Sequence, residues 1–168
     1  MSTFLVLTII ADDKPGIVEK LSATIADHGG NWLESRMAQM AGKFAGILRV
    51  SIDEDKSNAL VAALSQLGSN GILVKAEQAR VAQAATRNLS LSVVGNDRPG
   101  IVREVSRVLA GLGVNVLELT TSCEPAEMSA VPLFRSEAQL SVPEGMDEDD
   151  ISAALEALSD DLMVEIEV

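Results

Sequence analysis

The chain has 168 residues, 47% of them hydrophobic but only Phe4, Phe44, Phe134 and Trp32 aromatic, so it is globular with an aliphatic, alanine-filled core. Its net charge of −12 is lopsided: residues 1–80 hold 8 Lys/Arg and 9 Asp/Glu, whereas residues 81–168 hold 5 and 16. An acidic surface is repelled by phosphate backbones, which argues against direct binding to nucleic acid.

In chain order, "TFLVLTIIA" at 3–11 is β-rich and apolar on both faces, which predicts a strand buried on both sides. Ile17, Val18, Leu21 and Ile25 then recur at helical spacing, and "HGG" at 28–30 ends that helix. Two strands, 31–40 and 43–52, flank turn residues around Gly42. The acids Asp53, Glu54 and Asp55 suit the positive end of a helix carrying Leu60, Leu64 and Leu67, and 72–78 alternates as a last strand. The order is βαββαβ. It recurs as a strand at 88–95, a helix from Ile101 to Leu112, strands near 115–123 and 133–142, a helix near 147–159 and a closing strand.

The recurrence extends to residues. "DDKPGIVEKL" at 12–21 returns as "NDRPGIVREV" at 96–105, and residues 11–34 set on 95–118 share 11 identities in 24 positions. Two α+β domains follow, 1–80 and 87–168, joined by a short linker at 81–86 that is too apolar for a long tether, so the halves are expected to pack together. Each is expected to be a ferredoxin-like, antiparallel four-stranded sheet in the order 4-1-3-2, with both helices on one face. The apolar first strand then calls for a cover over the first sheet, by the other half or by another molecule. The offset between halves grows from 84 to 90 at Phe44 and Phe134, so the hairpin at 123–132, "CEPAEMSAVP", is expected to protrude.

Helix capping accounts for part of the repeated phrase. Asp13 or Asp97 can cap free N–H groups, and Pro15 or Pro99 fits a first turn. Gly16 and Gly100 are unexplained by capping, because glycine in a helix costs about 0.5–1 kcal/mol relative to alanine. Their retention predicts a site where a Cβ is excluded, by another backbone or by a ligand. Free N–H groups of Gly16, Ile17, Gly100 and Ile101 at a helix N-terminus would seat a carboxylate, and Asp13 or Asp97 would accept from an ammonium. Asn31 and Asn115, in "GNWLE" and "VNVLE", offer donors and an acceptor together, or serve as turn residues leaving the helix.

This βαββαβ pattern with "NDRPGIV…GLGVNVLEL" resembles the ACT domain, a small-molecule sensor of amino-acid metabolism. The resemblance implies amino-acid sites between paired domains, formed by Asp13, Pro15, Gly16 and Ile17 with Asn31, and by Asp97, Pro99, Gly100 and Ile101 with Asn115. The whole chain is similar to two-ACT-domain regulators of glycine cleavage. That similarity implies a cytoplasmic protein that senses a small amino acid, glycine favoured. It would contact a DNA-binding activator protein rather than DNA, with a homodimer as a further expectation. An interaction module without bound amino acid, or a regulatory subunit of an amino-acid-metabolism enzyme, is the alternative. Asp12 in the first copy against Asn96 in the second suggests two unequal sites.

Nothing points to catalysis, a cofactor or a metal. His28 is the only histidine, and the serines lie outside nucleophile-elbow and phosphate-loop sequences. Cys123 is the only cysteine, so it can form no intrachain disulfide or cysteine-rich metal site, and it is expected to be a reduced thiol. The opening "FLVLTIIA" lacks the basic start of a signal peptide, and no run reaches the roughly 18 apolar residues of a membrane span.

Overall fold

The computed structural model describes residues 1–80, 86–125 and 131–168. The chain divides into two compact units, Met1–Ala82 and Gln83–Val168. All but the last residue of the expected linker, and the centre of the hairpin at 123–132, lie outside the described residues.

Unit 1 runs β1 (Ser2–Asp12), α1 (Ile17–Asp27), β2 (Asn31–Met40), β3 (Lys43–Asp53), α2 (Glu54–Gln66), a short 3₁₀ turn (Leu67–Asn70) and β4 (Ile72–Gln78). Unit 2 repeats this with β5 (Thr86–Asn96), α3 (Ile101–Gly111), β6 (Asn115–Glu124), β7 (Leu133–Pro143), α4 (Glu148–Glu156) and β8 (Met163–Glu167). The sheets have the orders β2-β3-β1-β4 and β6-β7-β5-β8, antiparallel throughout. This is the ferredoxin-like order expected from the sequence. Leu67 belongs to the 3₁₀ turn rather than to α2, and β5 begins at Thr86, inside the expected linker.

Strand alternation places one face of each central strand beneath the helices. Leu5, Leu7, Ile9 and Ala11 of β1 are buried with Leu48, Val50 and Ile52 of β3 against Ile17, Leu21 and Ile25 of α1 and Leu60 and Leu64 of α2. The second core has the same plan, with Leu89, Leu91, Val93, Leu140 and Val142 under Ile101, Leu109, Ile151 and Leu155. The first strand is therefore not buried on both faces: Phe4 and Ile10 are exposed on the side away from the helices, as are Ile47 and Leu73. Val18, counted in the apolar stripe of α1, is exposed as well, because that helix buries only a narrow face.

Candidate functional site

In each unit a four-residue loop leaves the end of the first strand and enters the first helix. The Asp13 N–H donates to the Gly42 carbonyl at 2.9 Å, and the Asp97 N–H donates to the Pro132 carbonyl at 2.8 Å, so each loop is tied to the neighbouring hairpin. Gly16 and Gly100 then occupy the N-cap with φ of 93° and 87°, and their carbonyls accept the first helical bonds from the Lys20 and Glu104 N–H groups, each at 3.0 Å.

This geometry corrects two expectations. Neither helix has a side-chain cap, so Asp13 and Asp97 do not act as capping residues. Nor does a neighbour exclude a Cβ: one built on Gly16 or Gly100 meets nothing within 4 Å. The glycines are required by their left-handed backbone, which costs an L-residue roughly 1–2 kcal/mol.

With the aspartates absent from the caps, the orphan N–H groups of each helix start receive no side-chain acceptor among the described residues. The Asp13 carboxylate is exposed and has no side-chain partner among the described residues, while Asp97 lies beside the Cys123 thiol. Partial desolvation and then the Asp97 charge raise the pKa of that exposed thiol above its ordinary value. The Ile17 and Ile101 side chains point into the cores, leaving only their backbone at the loop surface. The Ile101 N–H also makes a long 3.4 Å bond to the Arg98 carbonyl.

Within a unit, the structure does not bring the asparagine to the loop. Asn31 pairs with Ser51 at one end of the sheet, whereas Asp12 pairs with Lys43 at the other. Eight residues of strand separate the two ends, roughly 27 Å. Asn115, opposite Ser141, is equally far from Asn96, opposite Leu133. Both asparagines are exposed and precede a register shift at the same place, between Trp32 and Glu34 and between Val116 and Glu118. Bulges of this kind re-aim strand-end side chains.

Several residues around the loops went unnoticed in the sequence. The Lys14 ammonium donates to the Asn70 carbonyl at 2.9 Å, fastening the first loop to the 3₁₀ turn. Its counterpart Arg98 instead pairs with Glu104 on α3. The difference between Asp12 and Asn96 also acquires a cause. Asp12 is paired with Lys43, whose hydrogen bond and charge hold its carboxyl below the ordinary range, so it adds no free charge beside the loop. In unit 2 the corresponding pair is Asn96 and Leu133, and the Asn96 N–H donates to the Asp161 carboxylate at 2.8 Å. Lys14 and Arg98 stood inside the repeated phrase, but Asn70 and Asp161 lie more than 50 residues away along the chain and carried no signal.

Residues 3–77 match the ACT domain family model. Over 165 residues the chain is 25% identical to the glycine cleavage system transcriptional repressors of Escherichia coli (strain K12) and Shigella flexneri, covering 95% of this chain and 85% of each relative. Among solved structures it resembles a protein of unknown function from Galdieria sulphuraria, at 28% identity and a TM-score of 0.87 over 99% of this chain and 98% of that one. A candidate glycine cleavage system transcriptional repressor shares the fold, with a TM-score of 0.71 at 17% identity over 99% and 97% of the two chains. Residues 3–77 thus match the ACT domain, unit 2 repeats the same strand and helix order, and the chain as a whole resembles the glycine cleavage system transcriptional repressor.

Proposed function

We propose that this protein is a non-enzymatic regulator that senses a small amino acid, with glycine favoured, and passes the signal on by contacting a DNA-binding activator of glycine cleavage genes. The observation that carries the reading is the pair of first loops, each with a left-handed glycine at an uncapped helix N-terminus and an exposed aspartate three residues before it. Backbone N–H groups there suit a carboxylate, and the aspartate suits an ammonium. Together they accept a free amino acid.

The assigned residues are Asp13, Pro15, Gly16 and Ile17, and Asp97, Pro99, Gly100 and Ile101. Asn31 and Asn115 lie too far from the loop of their own unit to complete its seat. The open space around Gly16 and Gly100 sets no limit on ligand size, so the preference for glycine rests on the resemblance to the glycine cleavage repressors. The regulatory role is supported by resemblance to the 25%-identical glycine cleavage system transcriptional repressors, and action by protein contact by an acidic second half suited to a basic partner.

A thermal-shift screen of the 20 amino acids against the full chain tests the sensing step. At a glycine concentration 100-fold above its Kd, mass action adds about 2.7 kcal/mol of stability, a shift of several degrees. No shift with any amino acid removes the sensing function and leaves the interaction module.

A further inference from the structure

The two sheets share one topology, yet their outer faces, turned away from the helices, differ in kind. Strand registers align the positions. Phe4, Val6, Thr8 and Ile10 of β1 correspond to Asn88, Ser90, Ser92 and Val94 of β5, and Ile47 of β3 corresponds to Glu137 of β7. Leu73 and Lys75 of β4 correspond to Met163 and Glu165 of β8. The fold does not call for apolar residues here, since unit 2 keeps it with a polar face. In unit 1, Phe4, Ile10, Ile47 and Leu73 are nonetheless 43%, 45%, 50% and 60% exposed. They adjoin one another: Ile10 lies opposite Leu73, and Ile47 lies opposite Thr8, between Val6 and Ile10. A contiguous apolar patch of this kind marks an interaction surface.

Charge selects the occupant. On the outer face of unit 1, Arg36, Lys43, Arg49 and Lys75 stand with Asp12, Glu34 and Glu77, an excess of a single positive charge. Lys43 is paired with Asp12, Arg49 with Glu34 at 2.8 Å, and Lys75 with Glu77 at 2.9 Å. On the outer face of unit 2, among the described residues, Arg135 is outnumbered by Glu118, Glu124, Glu137, Glu165 and Glu167. In a chain of net charge −12, the unit 1 face is thus where two copies can meet without like-charge repulsion. Apolar side chains also need apolar counterparts, which a second unit 1 face supplies residue for residue about a two-fold axis. A depression of about 240 Å³ over Val6 and Ile47, bordered by Glu34, Arg36 and Arg49, gives this face relief that a side chain of the other copy can enter.

We infer that the outer face of the unit 1 sheet is the contact between two copies of this chain, packed sheet on sheet about a two-fold axis. Four strands about 4.8 Å apart, with outward side chains about 7 Å apart along each, span roughly 20 Å by 20 Å, so the two copies together bury on the order of 1,000 Å². That area is at the low end for a specific interface, which sets a reversible dimer in the micromolar range rather than an obligate one. The inference does not depend on amino-acid sensing at Gly16 or Gly100, and its test needs no added amino acid.

The test is sedimentation velocity of the full chain from about 1 to about 300 μM, where a monomer–dimer equilibrium with a Kd on the order of 10 μM is expected. Ile47→Glu and Phe4→Asn install the unit 2 residues at exposed positions, and circular dichroism checks that each variant stays folded. Each should raise the Kd at least about tenfold. Glu137→Gln and Glu165→Gln on the unit 2 face should leave it within about twofold. Raising the salt from about 50 to about 500 mM should hold or tighten the dimer, because screening weakens the repulsion between two acidic chains. A monomer at every concentration overturns the inference, as does a dimer that survives both Ile47→Glu and Phe4→Asn. Loosening by salt or by the two glutamate variants also overturns it, since the unit 1 face would then rest on the acidic face of another copy.

Discussion

Gly16 and Gly100 hold the same left-handed backbone, φ 93° and 87°, at the N-caps of α1 and α3, and neither has a neighbour within 4 Å of where a Cβ would stand. Conformation alone therefore sets the cost of replacing them. Gly16→Ala and Gly100→Ala are each expected to destabilise by about 1 kcal/mol, and Gly→Asn by less than half of that, since asparagine tolerates this region. Denaturant melts of the four variants check the ranking. Equal losses for Ala and Asn would point to a steric cause.

The assignment of Asp97 to an ammonium predicts an asymmetric loss. Asp97→Ala should weaken glycine about tenfold or more while changing the affinity for acetate by less than twofold, as read by calorimetric titration. Equal losses for the two ligands would place Asp97 outside the recognition of the amino group.

Asp161 gives the loop of unit 2 a pH dependence. The Ser159 hydroxyl and then the Asn96 N–H donate to its carboxylate and hold its pKa below the ordinary 3.8. A depressed folded-state pKa contributes stability that is fully present above the unfolded value and is lost as pH falls through the folded one. Asp161→Asn should accordingly be less stable than the parent at pH 6, with the gap closing below about pH 4. Melting temperatures across that range measure it, and a gap that does not narrow as the pH falls would assign the loss to something other than the charge.

Two residues of one helix separate the buried face of α1 from its exposed flank. Leu21 is fully buried, so Leu21→Ala should cost about 2–5 kcal/mol, whereas Val18→Ala on the exposed side should stay within about 0.5 kcal/mol. Urea unfolding of both variants provides the comparison.

The fold was legible because its signals are local and repeated. Period-two alternation in Leu89, Leu91 and Val93, helical spacing in Ile17, Leu21 and Ile25, and glycines at the breaks each report on a few neighbouring residues. Their order then restricts the topology to the observed sheets. The site was legible only in part. The Asp-x-Pro-Gly phrase marked both loops, but it left the aspartate open between a cap and an ammonium acceptor and gave a steric reason for the glycine, since the sign of φ is not written in residue type.

The sequence by itself determined that there are two βαββαβ units, that each places a glycine at the start of its first helix, and that the acidic charge gathers in the second half. Tertiary structure decided how these features are used. It set Asn31 at the opposite sheet end from Gly16, paired Asp12 with Lys43, and brought the Lys14 ammonium to the Asn70 carbonyl. These are relations between residues distant in the chain. Strand register and packing create them, and no local pattern of residue types encodes them.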